Sequence, residues 1–307
     1  MLATTVDGRV RIGAVELPNA VVAASGTYGY GTEFAGLVAP GAIGAIAVKG
    51  LSLAPYEGKP APRLIETPAG MLNAIGLQNI GVDAFLRERL PVLAAAGARV
   101  VANFWGDSPE EFAECAARLD GAPGVVALEL NAASPNRPEW GGVLAADPAA
   151  LGAIVRAVRP RVRGPLWVKL SPNTGDVVAA GRAAAAEGAD ALSAINTLRG
   201  MAVDLAARRP SLASVTGGLS GPAIKPVALA MVYALARGVD VPVVGIGGIR
   251  SGEDALEFLA VGAAAVQVGT ASFYDPMAPL RIAREIDAWC ARHGVRAVAE
   301  IVGSVGG

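Results

Sequence analysis

The chain has 307 residues, 53% of them hydrophobic and 17% charged, with a formal net charge of −1. That balance, with no basic run and no aromatic-interleaved Arg/Lys patch, argues against nucleic acid or an anionic membrane as partner. Cys115 and Cys290 form neither a metal spacing nor a disulfide framework, and the N-terminal stretch has no apolar signal core, so no metal site, no membrane insertion and a reduced, cytoplasmic setting are expected.

Residues 9–19 alternate in polarity and predict a short hairpin or lid strand. After them, short apolar runs are spaced by helical stretches. Strands are expected at 21–26, 45–50, 99–106, 124–131, 166–170, 191–197, 243–248 and 265–269. Helices are expected at 82–96, 109–119, 148–158, 175–187, 222–236, 252–261 and 279–292. Asp107-Ser108-Pro109, Asp147-Pro148 and Ser251-Gly252-Glu253 are helix starts of the usual kind. Strand alternating with helix implies parallel pairing. Eight such strands without a linker or composition break predict one (β/α)8 TIM barrel over residues 1–307, with a doubly wound open sheet as the alternative. The connections 51–80, 132–147 and 198–221 are too long for simple turns. All follow strand carboxyl ends, so extra lid loops and short strands are expected on the face where barrels place their sites.

Strand interiors of a parallel sheet should read as unbroken Val, Ile and Leu. Here Ser25, Lys49, Asn103, Asn131, Lys169 and Asn196 stand at successive strand ends, and Gln267 lies in the eighth strand. In the fourth, Val126, Leu128 and Leu130 share one face while Glu129 and Asn131 share the other. Only Lys49, Lys59, Lys169 and Lys225 occur as lysines, which makes the strand-end pair less incidental. A buried unpaired amide costs a few kcal/mol and an ammonium more. One such residue reads as a satisfied core group; a ring of them at one end calls for a polar ligand. Ser134, Pro135 and Asn136 follow the fourth strand, either as part of that site or as a loop capping its own backbone. The seventh and eighth strands exit through Gly245-Ile246-Gly247-Gly248 and Gly269-Thr270. Glycines there admit an anion to the backbone N–H groups, and the helix after Ser251 is expected to aim its positive end at the same place. The ligand is then phosphate-bearing with a large polar head, such as FMN or a sugar phosphate. A flavin dehydrogenase, a lyase or aldolase forming a Schiff base on Lys169 or Lys49, and a non-enzymatic nucleotide-binding barrel all remain open. His293, past the last helix, reads as a C-terminal cap.

Several motifs together carry a resemblance. They are Ala-Ser-Gly-Thr at 24–27, the loop 67–79, Glu-Leu-Asn at 129–131, Lys-Leu-Ser-Pro-Asn at 169–173, Ile-Asn-Thr at 195–197, Leu-Ser-Gly-Pro-Ala-Ile-Lys-Pro at 219–226, Gly-Gly-Ile at 247–249 and Val-Gly-Thr-Ala at 268–271. With these the chain resembles class 1 dihydroorotate dehydrogenase, nearest the FMN-binding catalytic subunit of the heteromeric branch. The resemblance implies oxidation of dihydroorotate to orotate, with a base at C5 and hydride passing from C6 to flavin N5. It implies FMN contacts from Ser25, Lys49, Gly50, Asn103, Asn131, Lys169, Ile195, Gly221, Gly247, Gly248, Gly269 and Thr270. It implies substrate contacts from Lys49, Asn73, Ala74, Ile75, Gly76, Leu77, Asn131, Asn196 and Thr197. Ser134 stands where similar class 1 enzymes carry Cys, and is the expected base. Serine there resembles the class 2 membrane-associated enzymes, whose N-terminal membrane-binding extension has no counterpart in this sequence. The heteromeric likeness further implies a partner subunit with FAD and an iron–sulfur cluster, in a homodimer or heterotetramer; two lone cysteines supply no such cluster from this chain.

Overall fold

The apolar runs form eight parallel strands: β1 (Val21–Ala23), β2 (Ala45–Ala47), β3 (Val100–Phe104), β4 (Val125–Leu130), β5 (Leu166–Lys169), β6 (Ala191–Ala194), β7 (Val243–Ile246) and β8 (Ala263–Val268). Each pairs with its neighbour in sequence, and β8 returns to β1 through Val266–Val21, Gln267–Val22 and Val268–Ala23. The barrel is closed, which overturns the doubly wound alternative. The computed structural model describes residues 6–133 and 144–306. Most strands stop one to three residues short of their sequence runs, because Ser25, Lys49, Asn196 and Gly247 have left the ladder and turn into the mouth.

Helices cover the barrel. In Pro109–Leu119, Phe112, Cys115, Ala116 and Leu119 face the strands, while Ser108 accepts from the Glu111 N–H as N-cap. Pro148–Val158 buries Leu151, Ile154, Val155 and Val158 and is capped by Asp147. The helix expected at 82–96 is interrupted: a π-helical segment, Phe85–Arg89, separates Val82–Ala84 from Leu90–Ala95. Pro91 explains the break, since it offers no N–H and its ring crowds the carbonyl four residues earlier. Residues 9–19 form a hairpin, Val10–Ile12 with Val15–Leu17. Its turn at Gly13 lies against the Asp190 carbonyl, just before β6, so it sits at the amino end of the barrel and is no lid.

The lid comes from two of the long connections. Leu198–Gly200, Gly217–Ser220, Gly70–Asn73 and Leu64–Thr67 make one four-stranded antiparallel sheet. Residues 67–79, read as a loop, therefore contain a strand. Gly70 makes the sheet possible: at φ 154 it lies so close to the Ser220 carbonyl that any side chain would collide. Among the described residues, no helix is long and apolar enough to cross a membrane.

Two outer helices are tied together behind β7. Lys225 Nζ lies 2.6 Å from Asp254 Oδ1 and 2.8 Å from Glu257 Oε2. Asp254 also accepts from the N–H of Arg250 and Ser251, completing the capping box of Gly252–Ala260. Burial raises the Asp254 carboxyl, but Lys225 and the cap N–H groups more than offset this and hold it below its ordinary value of 3.8. A carboxyl lowered by folding adds stability that is present above its unfolded value and lost as pH falls through the lower folded one. Asp254→Asn is expected to cost about 1–3 kcal/mol at pH 7. The gap from wild type should close at acid pH, below about 4. Thermal unfolding of both proteins at pH 7 and pH 3 checks this.

Candidate functional site

Five strands place a polar side chain in the barrel interior just below its mouth. Glu129 of β4 is fully buried and is the hub. Its Oε1 accepts from Asn103 Nδ2 at 2.6 Å; its Oε2 accepts from Ser193 Oγ at 2.7 Å and Gln267 Nε2 at 2.6 Å. Lys169 Nζ lies 3.9 Å from Oε1. An ionised carboxylate only accepts, so three donors and a nearby cation satisfy it. The hub also fixes which way the amides point. With its Nδ2 given to Glu129, Asn103 turns Oδ1 to Asn131 Nδ2 at 3.3 Å, and Asn131 Oδ1 accepts from the Ala133 N–H at 3.3 Å. Gln267 spends its amide nitrogen on Glu129, and its Oε1 is buried without a partner among the described residues. Lys169 reaches the other way and donates to Ser25 Oγ at 3.2 Å.

Above this layer opens a cavity of about 370 Å³, within the range of small-molecule sites. Asn103, Asn131 and Lys169 form its floor, with Ser25 from the end of β1 and Lys49 and Gly50 from the end of β2. Ile195, Asn196 and Thr197 enter after β6. Gly221, Gly247, Gly248, Gly269 and Thr270 line one end. The lid contributes Asn73, Ile75, Gly76 and Leu77. Residues picked from ten separate stretches of sequence thus meet around one space. Ala74 does not: it turns away and packs with Leu72 and Leu212 beneath the lid sheet. Met71, Asn73 and Ile75 face the cavity, so Leu72 and Ala74 between them face away, whereas Gly76 and Leu77 follow Ile75 along the wall. Ser134 lies outside the described residues.

Gly248 has φ 77, and a Cβ there would lie 2.7 Å from Lys225 Cβ and 2.9 Å from the Gly221 carbonyl. Only glycine brings this backbone to the cavity wall. The helix after Ser251 plays a different part from the one expected. Two of its first three N–H groups are taken: Gly252 donates to Glu285 Oε2 at 2.6 Å and Asp254 to Ser251 Oγ at 3.2 Å. No residue of that helix lines the cavity. The glycine-lined wall, not the helix end, is what remains for an anion.

Lys49 is the other cationic feature. Burial and the adjacent Arg63 guanidinium hold its ammonium below the ordinary lysine value, Glu33 opposing them. Asn73 donates to the Gly218 carbonyl at 3.1 Å, and Asn196 donates to the Ala133 carbonyl at 3.0 Å, so each amide's orientation is fixed. Leu77 has φ 65, a left-handed conformation that a branched residue holds only when its surroundings enforce it. The Leu77 carbonyl accepts from Asn79 Nδ2 at 3.0 Å, which helps to hold it there.

Arg63, Gln78, Thr27, Ser220 and Phe273 also line the cavity and were missed. Thr27, Gln78 and Ser220 lie inside the segments 24–27, 67–79 and 219–226, which carry the resemblance, and were open to notice. Arg63 sits in an irregular stretch, where its link to Gln78 Oε1 at 2.6 Å has no sequence period to announce it. Trp105 is buried against Tyr56 and does not border the cavity.

A family model described as dihydroorotate dehydrogenase matches residues 8–289. A protein of Pelobacter propionicus named dihydroorotate dehydrogenase B (NAD(+)), catalytic subunit, is 54% identical over 299 residues, covering 97% of this chain and 98% of its own. Proteins of the same name from a Geobacter species and from Geobacter sulfurreducens are 53% and 54% identical, with the same coverage. With this match running through every strand of the barrel and every wall of the cavity, the chain belongs to the dihydroorotate dehydrogenase family.

Proposed function

We propose that this chain is the FMN-containing catalytic subunit of a dihydroorotate dehydrogenase of pyrimidine biosynthesis, acting in the cytoplasm. The observation that carries this reading is the single cavity in which a glycine-lined wall, a cationic Lys49 and an amide floor converge. The residues fit the cofactor. The wall at Gly221, Gly247 and Gly248 leaves no room for side chains and suits a phosphate. The floor of Asn103, Asn131 and Lys169 offers donors to a ring rich in carbonyl oxygens and nitrogens. A Schiff-base reading finds Lys169 already committed to Ser25 and Glu129.

When bound, the flavin supplies the acceptor for the hydride leaving C6 of dihydroorotate. The chain does the rest. Asn73, Asn131 and Asn196, each with a fixed amide, present donors and acceptors to the pyrimidine ring. Lys49 receives the carboxylate, and the backbone at 75–77 closes over it. The lid sheet excludes water, which strengthens these interactions. Ser134 removes the C5 proton. A serine hydroxyl is far too weak an acid to wait as alkoxide, so it must pass its own proton on as it takes the other.

Two results are expected of the half-reaction. Purified chain carrying FMN should bleach when mixed anaerobically with dihydroorotate; a chain without affinity for FMN overturns the reading. Ser134→Ala should slow that bleaching by about 10²–10⁴-fold at unchanged FMN content, the usual range for a lost general base. An unchanged rate removes Ser134 from the role.

Lys49, lowered in the free protein, regains its charge preference beside a carboxylate. Orotate affinity should therefore fall as pH rises toward the ordinary lysine value of 10.5, and Lys49→Met should bind about 10–100-fold more weakly with a flatter pH profile. Titration by flavin absorbance measures both.

For electron output, the proposed partner is a subunit with FAD and an iron–sulfur cluster that delivers electrons to NAD, in a heterotetramer rather than a bare homodimer. Both cysteines of this chain are buried and single, so the cluster's ligands belong elsewhere. Co-expression with such a subunit should yield a complex that reduces NAD with dihydroorotate.

A further inference from the structure

Glu129 has no place in the chemistry above. It touches no part of the cavity, yet it is the most completely buried charge in the barrel and sits directly behind the floor. A carboxylate is costly there. Asn103, Ser193 and Gln267 would be satisfied by a neutral acceptor, so hydrogen bonding alone does not explain an acid. What a neutral group would not supply is a negative charge 3.9 Å from the Lys169 ammonium. Lys169 is itself almost wholly buried, and its hydrogen bond to Ser25 is to a neutral hydroxyl.

We infer that Glu129 is the counter-ion of Lys169, and through it a positioning residue that lowers the reduction potential of the flavin. The inference rests on the FMN reading above. Two-electron reduction of a flavin with uptake of one hydride adds a negative charge to it, and an unpaired ammonium on the cavity floor would favour that state. Paired with Glu129, Lys169 adds a dipole instead of a full charge. The pair keeps a hydrogen-bond donor at the floor while limiting its electrostatic pull. Electrons taken from the substrate are then held less tightly and pass on more readily to an acceptor. The carboxylate also sets the direction of the Asn103 and Asn131 amides, so charge and hydrogen-bond polarity at the floor share one origin.

The test compares flavin midpoint potentials, by dye equilibration, in wild type, Glu129→Gln and Ser193→Ala. Glu129→Gln removes the charge and keeps the shape. It should raise the ratio of reduced to oxidised FMN affinity at least tenfold, a positive shift of about 30 mV for a two-electron couple. Ser193→Ala breaks one bond of the same hub but leaves the charge, and its potential should match wild type. An unshifted Glu129→Gln, or an equal shift in Ser193→Ala, overturns the inference.

Thermal unfolding of the flavin-free chain gives a second reading should Glu129→Gln fail to hold FMN or fold well. If the two charges are partners, adding Lys169→Met to Glu129→Gln should raise the melting temperature above that of Glu129→Gln alone. Absence of rescue overturns the pairing. Wild-type chain that binds no FMN would instead overturn the function, while the thermal cycle would still report on the pair.

Discussion

A buried carboxylate that accepts three hydrogen bonds and faces an ammonium is the constraint from which the mouth of this barrel follows. Parallel barrels fill their interior with branched apolar side chains, and the interior here does so in part through Val22, Val101 and Val244. One layer up, Asn103, Glu129, Lys169, Ser193 and Gln267 take over. Such a layer is stable only when fully connected, since each lost bond inside a low-dielectric interior leaves an expensive orphan. Glu129 connects it by accepting from three strands at once. The Gln267 carbonyl oxygen, without a partner among the described residues, shows which demand wins: the amide nitrogen serves the acid.

The cavity above depends on a second coupling, between two loops far apart in the chain. Residues 64–73 and 198–220 have no helix to hold them and pair with each other instead. Through this sheet the Asn73 amide is held by the Gly218 carbonyl, from a stretch 145 residues away. Neither loop can form its part of the lid without the other. The left-handed Leu77, next along the chain, is the strained end of the same unit, held where the cavity needs backbone rather than side chain.

Much of this was legible in the sequence because strand parity and helix period are local. The eight strands, most helix bounds, and the set of polar strand ends all follow from residues a few positions apart. What escaped is what arises between distant segments. Glu129 was visible as an acid on the interior face of its strand, but its donors Ser193 and Gln267 lie 64 and 138 residues away. The same holds for the helix after Ser251. Its start is where the sequence puts it, yet Glu285 from another helix takes the Gly252 N–H at the end expected to face an anion. Ala74 shows a simpler limit: Met71, Asn73 and Ile75 face the cavity, so Leu72 and Ala74 between them face the other way. Arg63 and the π-helical break at Pro91 mark the opposite limits, one without any local signal and one whose signal, a proline inside a helix, was present and passed over.

Lysine usage ties the charge of the whole chain to the chemistry of the mouth. The net charge of −1 describes the molecule from a distance and says nothing of the field inside the cavity. All four lysines lie at that end: Lys49 and Lys169 on the cavity wall, Lys225 packed behind Gly248, and Lys59 packed behind Gly76. Arginine supplies the exposed ion pairs, as in Arg118 with Asp83 and Arg156 with Glu187. The division has a physical basis. A guanidinium stays charged and well solvated on a surface, whereas a compact ammonium fits a narrow floor and responds to burial and to neighbouring charge. On the proposed reading the cavity holds two anionic groups and releases one of them each cycle, which is better served by cations whose strength their neighbours can set. At Lys49 burial and Arg63 set it, and at Lys169 the neighbour is Glu129.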